Sequence, residues 1–136
     1  MRCVSIEHAL ALLARAKDDL YVLRRLRDDP EAPAWVLGFH AQQAVEKAVK
    51  AVLSGCELLY PRTHNLVMLS ELLRNAPCSL PPDVEEFGCL TPFGVVLRYE
   101  DVIDDQSPAV DAVWCEALVT RTIDWAVQRL SEKDAQ

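Results

Sequence analysis

Between Pro33 and Gly55 the chain carries a segment that is apolar around most of a helical circumference. Trp35, Val36, Leu37, Phe39, Val45, Val49, Val52 and Leu53 are large, while Ala34, Gly38, Ala41, Ala44, Ala48 and Ala51 are small. A helix that is hydrophobic on nearly every side belongs inside a bundle, with other helices packed around it. The small residues let those neighbours approach closely. Pro33 suits the first turn, where its missing N–H has no partner anyway, and Gly55 is a natural C′ residue. The pattern predicts a central, most buried helix over 34–54.

Other helices are predicted on either side. Ile6, Ala9, Leu10, Leu13, Ala16, Leu20 and Leu23 recur at three- and four-residue steps, so a first helix runs from a Ser5 cap to about Arg27. Its opposite face carries Arg15, Asp18, Asp19 and Arg25 and reads as solvated. Thr63 reads as the cap of a third helix, from His64 to about Asn75, with Leu66, Leu69, Leu72 and Leu73 inward. Residues 83–88 suit one or two turns. Thr91-Pro92 reads as the cap and first position of a short helix to about Tyr99, and Ser107-Pro108 repeats that start for a last helix to about Glu132. On that helix Val110, Val113, Ala117, Thr120, Ile123, Val127 and Leu130 form one face, and Trp114 and Trp125 fall beside it. The two tryptophans either widen the buried band or serve a subunit contact. No segment alternates like a strand. The expected fold is all-α: an up-and-down bundle of four long antiparallel helices plus a short helix, one domain over 1–136.

Composition agrees. A chain of 136 residues, 51% hydrophobic, buries roughly two-thirds of its unfolded surface and folds without disulfides or metal. No apolar run approaches the roughly 20 residues of a membrane span. The start MRCVSIEHAL lacks the continuous apolar core of a signal peptide. Cys3, Cys56, Cys78, Cys89 and Cys115 are odd in number and widely spaced, and read as small buried hydrophobes in a reducing compartment. The expectation is a soluble, cytoplasmic protein with no membrane association.

The net charge of −7 is uneven. Between residues 76 and 116, Arg98 stands alone against nine carboxylates. A protein binding nucleic acid over its whole surface would be basic, so any phosphate contact must use a local site. Asp101, Asp104 and Asp105 form an acidic loop without the glycine and ligand spacing of an EF-hand, and no metal or cofactor site is predicted.

The polar residues of the central helix are its oddity. Gln42, Glu46 and Lys50 stand at i, i+4 and i+8, beside a second line of Gln43 and Lys47. Glu46 and Lys50 have the favourable orientation for an ion pair. In so apolar a helix these groups need partners, because an unpaired buried polar group costs about 1–3 kcal/mol. Other helices, a second subunit or a ligand phosphate would serve.

The run Phe39-His40-Ala41-Gln42-Gln43-Ala44-Val45-Glu46-Lys47-Ala48-Val49-Lys50-Ala51-Val52-Leu53 closely resembles the central helix of HEPN domains (higher eukaryotes and prokaryotes nucleotide-binding). Thr63-His64-Asn65-Leu66 looks like that family's Thr-His-Asp/Asn-Leu helix start. Leu97-Arg98-Tyr99-Glu100-Asp101 resembles its Arg-Tyr-Pro-Asp segment, with Glu100 in place of Pro. The resemblance implies a helical bundle, frequently dimeric, often encoded beside a minimal nucleotidyltransferase as a toxin–antitoxin pair. Many such proteins are RNases sharing Arg-x4-6-His on a late helix. Here Arg98, Arg121 and Arg129 have no His after them. Arg2 and His8 match the spacing, but on the first helix.

The resulting expectation is a non-catalytic or weakly catalytic, homodimeric module that binds a nucleotide, RNA or a nucleotidyltransferase partner. Its ligand-binding candidates are Arg98, His64, Lys47, Gln43 and Tyr99, with the phosphate near Arg98, whose guanidinium matches phosphate oxygens in pairs. Arg98 is alternatively an ion-pair partner of Glu100, Asp101 or Asp104. His64, read at the first helical position, is expected to be neutral there, packing the helix start, holding a phosphate, or acting as a base. Two rival readings stand beside this one. One is a metal-independent RNase toxin using Arg98 and His64, and the other is a purely structural dimerisation module.

Overall fold

The structure of the chain, a computed structural model, describes residues 4–76, 79–94 and 111–134. It holds α1 (Val4–Leu26), α2 (Ala34–Gly55), α3 (Leu66–Arg74), a 3-10 helix η1 (Val84–Phe93) and α4 (Ala112–Asp134). There is no strand among the described residues. The all-α bundle predicted from the periodicity is the fold observed.

Helix α2 is the centre, with fourteen of its 22 residues buried. On one side α1 presents Ala9, Leu13, Ala16, Leu20 and Leu23, all at most 5% exposed. Chain directions follow from contacts at the ends. Ile6 and Ala9, early in α1, lie beside Gly55 at the end of α2, while Arg24, late in α1, and Arg27, just after it, reach Glu116 near the start of α4. So α1 runs antiparallel to both α2 and α4. Leu130, late in α4, also packs on Gly55, so α2 and α4 run parallel, as the second and fourth helices of an up-and-down order must.

Several local readings are corrected. Helix α1 already includes Ser5, so Ser5 does not stand before it as a cap. Gly55 is not the C′ residue of α2. That place belongs to Glu57, at φ 60°, with Glu57 N–H donating to the Ser54 carbonyl (3.0 Å) and Leu58 N–H to the Leu53 carbonyl (2.9 Å). These two bonds are the Schellman pattern. Gly55 is needed for packing instead, because a Cβ there would collide with Leu130 Cδ2. Helix α3 spans nine residues and is capped by Asn65, whose Oδ1 accepts from Met68 N–H at 3.1 Å. Thr63 acts one step earlier, its Oγ1 accepting from Asn65 N–H at 3.0 Å. Thr91-Pro92 opens no new helix, since both lie inside η1. Asp111 is the cap of α4, with Oδ1 accepting from Val113 N–H at 2.7 Å; Ser107-Pro108 and Val110 lie outside the described residues.

The buried face of α4 is also rotated from the predicted one. Cys115, Leu118, Val119, Thr122 and Ala126 are buried together with Ile123 and Leu130 of the predicted face, whereas Val113 is 56% exposed and Ala117, Thr120 and Val127 are half-buried. The helix carries apolar residues around much of its circumference, and packing against α1 and α2 decides which of them are buried. Trp125 then falls inside the core, its indole N–H donating to the Ser79 carbonyl at 3.2 Å, and Trp114 packs half-buried against the same core. Both tryptophans are thus accounted for within the chain. Of the described cysteines, Cys115 is buried, Cys56 half-buried and Cys89 exposed, so the reading of all cysteines as buried hydrophobes fails at Cys89.

Candidate functional site

The polar line of α2 meets partners from other elements. Glu46, with a side chain only 5% exposed, is the hub. Its Oε1 accepts from Gln42 Nε2 (3.0 Å) and faces His64 Nδ1 (2.9 Å). Its Oε2 accepts from Lys50 Nζ (2.9 Å) and lies 3.1 Å from the same His64 nitrogen. The i, i+4 pair of Glu46 and Lys50 is therefore formed as the sequence suggests. Gln42 Nε2 also donates to the His64 carbonyl (3.1 Å), and Gln42 Oε1 accepts from Gln43 Nε2 (2.7 Å). Lys50 stands over the ring of Tyr60 at 5.8 Å, and the Tyr60 hydroxyl meets Ser54 Oγ at 3.2 Å. A buried carboxylate is tolerable only when paired and hydrogen-bonded, and Glu46 satisfies both conditions.

His64 is placed by the turn before α3. With Asn65 as the cap, His64 stands outside the helix rather than at its first position. Its ring is no longer governed by the helix dipole but by Glu46. A carboxylate only accepts hydrogen bonds, so Nδ1 donates. The side chain is 56% exposed, and Nε2 lies on the opposite edge of the ring from Glu46. Gly94 closes the other flank, because a Cβ there would come 2.9 Å from Gln42 Nε2 and 3.2 Å from the His64 carbonyl oxygen. Phe93 lies on Gly38 in the same way, its ring 2.6 Å from a Cβ built there, and so the end of η1 is seated on α2 beside the site.

A second cluster sits on the same helix against α1. Asp19 Oδ1 faces His40 Nδ1 at 2.9 Å and Oδ2 accepts from Lys47 Nζ at 2.7 Å. Asp19 is 8% exposed, not on the solvated face assigned to it from the sequence. The signal was present: Asp19 is three residues after Ala16 and four before Leu23, on a buried line of α1.

Of the residues predicted to bind ligand, His64 and Gln43 join one network through Gln42 and Glu46. Lys47 belongs to the other cluster, committed to Asp19. Arg98 and Tyr99, the acids of 100–105 and Arg2 lie outside the described residues, while His8 is exposed on α1. Sequence reasoning did not single out Asp19, His40 or the convergence of Glu46 with His64. No group of three or more metal-ligating side chains occurs among the described residues, and no described helix is long and apolar enough to cross a membrane.

Residues 9–127 match the family model of the HEPN domain, and the chain belongs to that family. No curated protein and no solved structure matches it.

Proposed function

We propose that this HEPN protein is a non-catalytic or weakly catalytic module that binds the phosphate of a nucleotide or RNA at the His64 edge of α2. One observation carries the reading: a half-exposed imidazole anchored through Nδ1 by a buried carboxylate, its Nε2 without a hydrogen-bond partner among the described residues. With Nδ1–H given to Glu46, the Nε2 edge accepts from a ribose hydroxyl when the ring is neutral and donates to a phosphate oxygen when the ring carries a second proton. Lys50, beside it on Glu46, adds positive charge. Arg98 and Tyr99 are kept as further ligand contacts on their sequence context alone. Homodimerisation, a minimal nucleotidyltransferase partner and a toxin–antitoxin-like pairing follow from the family resemblance and belong to the same proposal. Titration of labelled RNA oligonucleotides and nucleotides into the protein tests it. His64→Ala and Arg98→Ala should each weaken binding about tenfold or more, the scale of a charge-assisted hydrogen bond, and added salt should weaken it further. Unchanged affinity in both variants would refute the site.

The same anchoring favours a second reading, a metal-independent RNase. Carboxylate, imidazole Nδ1 and an Nε2 without a partner among the described residues form the arrangement by which a general base is oriented. Cleavage of RNA in the presence of a chelator, lost in His64→Ala, would select this reading over simple binding.

A further inference from the structure

We propose that Glu46 is the positioning residue of His64, holding the neutral ring in its Nδ1–H form so that the Nε2 lone pair is what the site presents to a ligand. The inference rests on the reading of His64 as the ligand-facing group and adds how that group is set.

The geometry carries the assignment. Both carboxylate oxygens of Glu46 lie within 3.1 Å of one ring nitrogen. The carboxylate cannot swing away, because Gln42 holds one oxygen and Lys50 the other. Gln42 in turn is fixed by the His64 carbonyl and by Gln43. Glu46 is thus clamped from its own helix at i−4 and i+4, and it reaches His64 eighteen residues away. His64 is pinned at two points, ring and carbonyl, by side chains one helical turn apart on α2. A neutral imidazole in water favours the opposite Nε2–H form, so an undirected ring would present a proton outward. Held by Glu46, it presents an acceptor, and only on gaining a second proton does it present a donor. The buried hub therefore decides which hydrogen-bonding partner the exposed edge accepts, a hydroxyl proton in one state and an anionic oxygen in the other.

The test uses the full chain labelled with nitrogen-15. Long-range proton–nitrogen spectra, recorded at a pH where the His64 ring is neutral, should show Nδ1 protonated and Nε2 bare in the wild type. In Glu46→Ala the balance should move toward the Nε2–H form, while the backbone amide pattern persists. The wild-type spectrum decides even if Glu46→Ala does not fold: a ring found mainly as Nε2–H overturns the proposal. A binding cycle with a labelled single-stranded RNA supplies the second readout. Glu46→Ala should lower affinity about tenfold in the wild-type background and by less than twofold when His64 is already Ala. An equal loss in both backgrounds overturns the positioning role, because Glu46 would then act without His64. If the ring is held as stated but His64→Ala binds RNA normally, the positioning stands and the ligand reading of the site fails.

Discussion

Helix α2 builds two clusters from the same three kinds of side chain. Asp19, His40 and Lys47 make one; Glu46, His64 and Lys50 make the other. In each, a carboxylate at most 10% exposed in its side chain meets a histidine Nδ1 at 2.9 Å and a lysine at 2.7–2.9 Å. They differ in which partner comes from elsewhere. In the first the carboxylate belongs to α1, and its histidine and lysine are both on α2, one of them 26% and the other 27% exposed. That cluster fastens two long helices together along their seam. In the second the carboxylate and lysine are on α2, and the histidine comes from the turn before α3, 56% exposed. That cluster fastens a loop and leaves one ring edge in solvent. Chemistry alone does not separate a helix clamp from a ligand site. The element that supplies the histidine is the difference on which the proposed ligand site rests.

The comparison can be broken most sharply at Asp19. Asp19→Ala leaves Lys47 and His40 without their acceptor inside the seam, and it should destabilise the fold by about 3 kcal/mol, read from the urea midpoint. A loss below about 1 kcal/mol would mean the seam is wetter than its burial indicates. The two histidines give the next contrast. His40→Ala should cost about 1 kcal/mol, since Asp19 retains Lys47. His64→Ala should stay within about 0.5 kcal/mol of wild type while weakening ligand binding. Equal stability losses for the two would erase the distinction between clamp and site.

The smallest effect is a rate. Burial pushes the Cys115 thiol up to about 12, with Asp111 adding to the rise, so it is unreactive in the folded chain at ordinary pH. Because the folded thiol holds its proton more tightly than the unfolded one, this group's contribution to stability falls as pH climbs from about 9 toward 12. Alkylation of Cys115 near pH 8 should then report unfolding alone. Asp19→Ala should speed it and His64→Ala should not, while exposed Cys89 reacts at once in all three proteins.

The fold was legible because α2 could be read from composition alone. Its residues are apolar on most sides with small ones between, and only a central helix uses that pattern. The polar line of Gln42, Glu46 and Lys50 was legible for the same reason, as a set of groups needing partners. What those partners were was not. Glu46 and His64 are eighteen residues apart, and Asp19 and Lys47 are twenty-eight apart. No spacing rule joins such pairs; only the packing of α1 and of the α3 turn on α2 does. Asp19 was assigned to solvent because a charged residue beside an apolar stripe usually lies there. The face of α4 went wrong because the helix carries apolar residues around much of its circumference, and neighbours choose which of them are buried. Gly55 misled in another way, since glycine serves both as a helix end and as a place of close approach.

That last glycine gives α2 the character of a ruler. Leu130 of α4 seats only where α2 has no side chain, at Gly55, and Glu46 receives His64 nine residues earlier, about 14 Å along the axis. One helix therefore fixes both the axial position of α4 and the place where the turn before α3 lands. A single residue inserted between Glu46 and Gly55 would turn one mark by about 100° relative to the other. No sliding of α4 could then restore both contacts. The distance between the two marks is a property that substitutions elsewhere in α2 leave intact and that any insertion destroys.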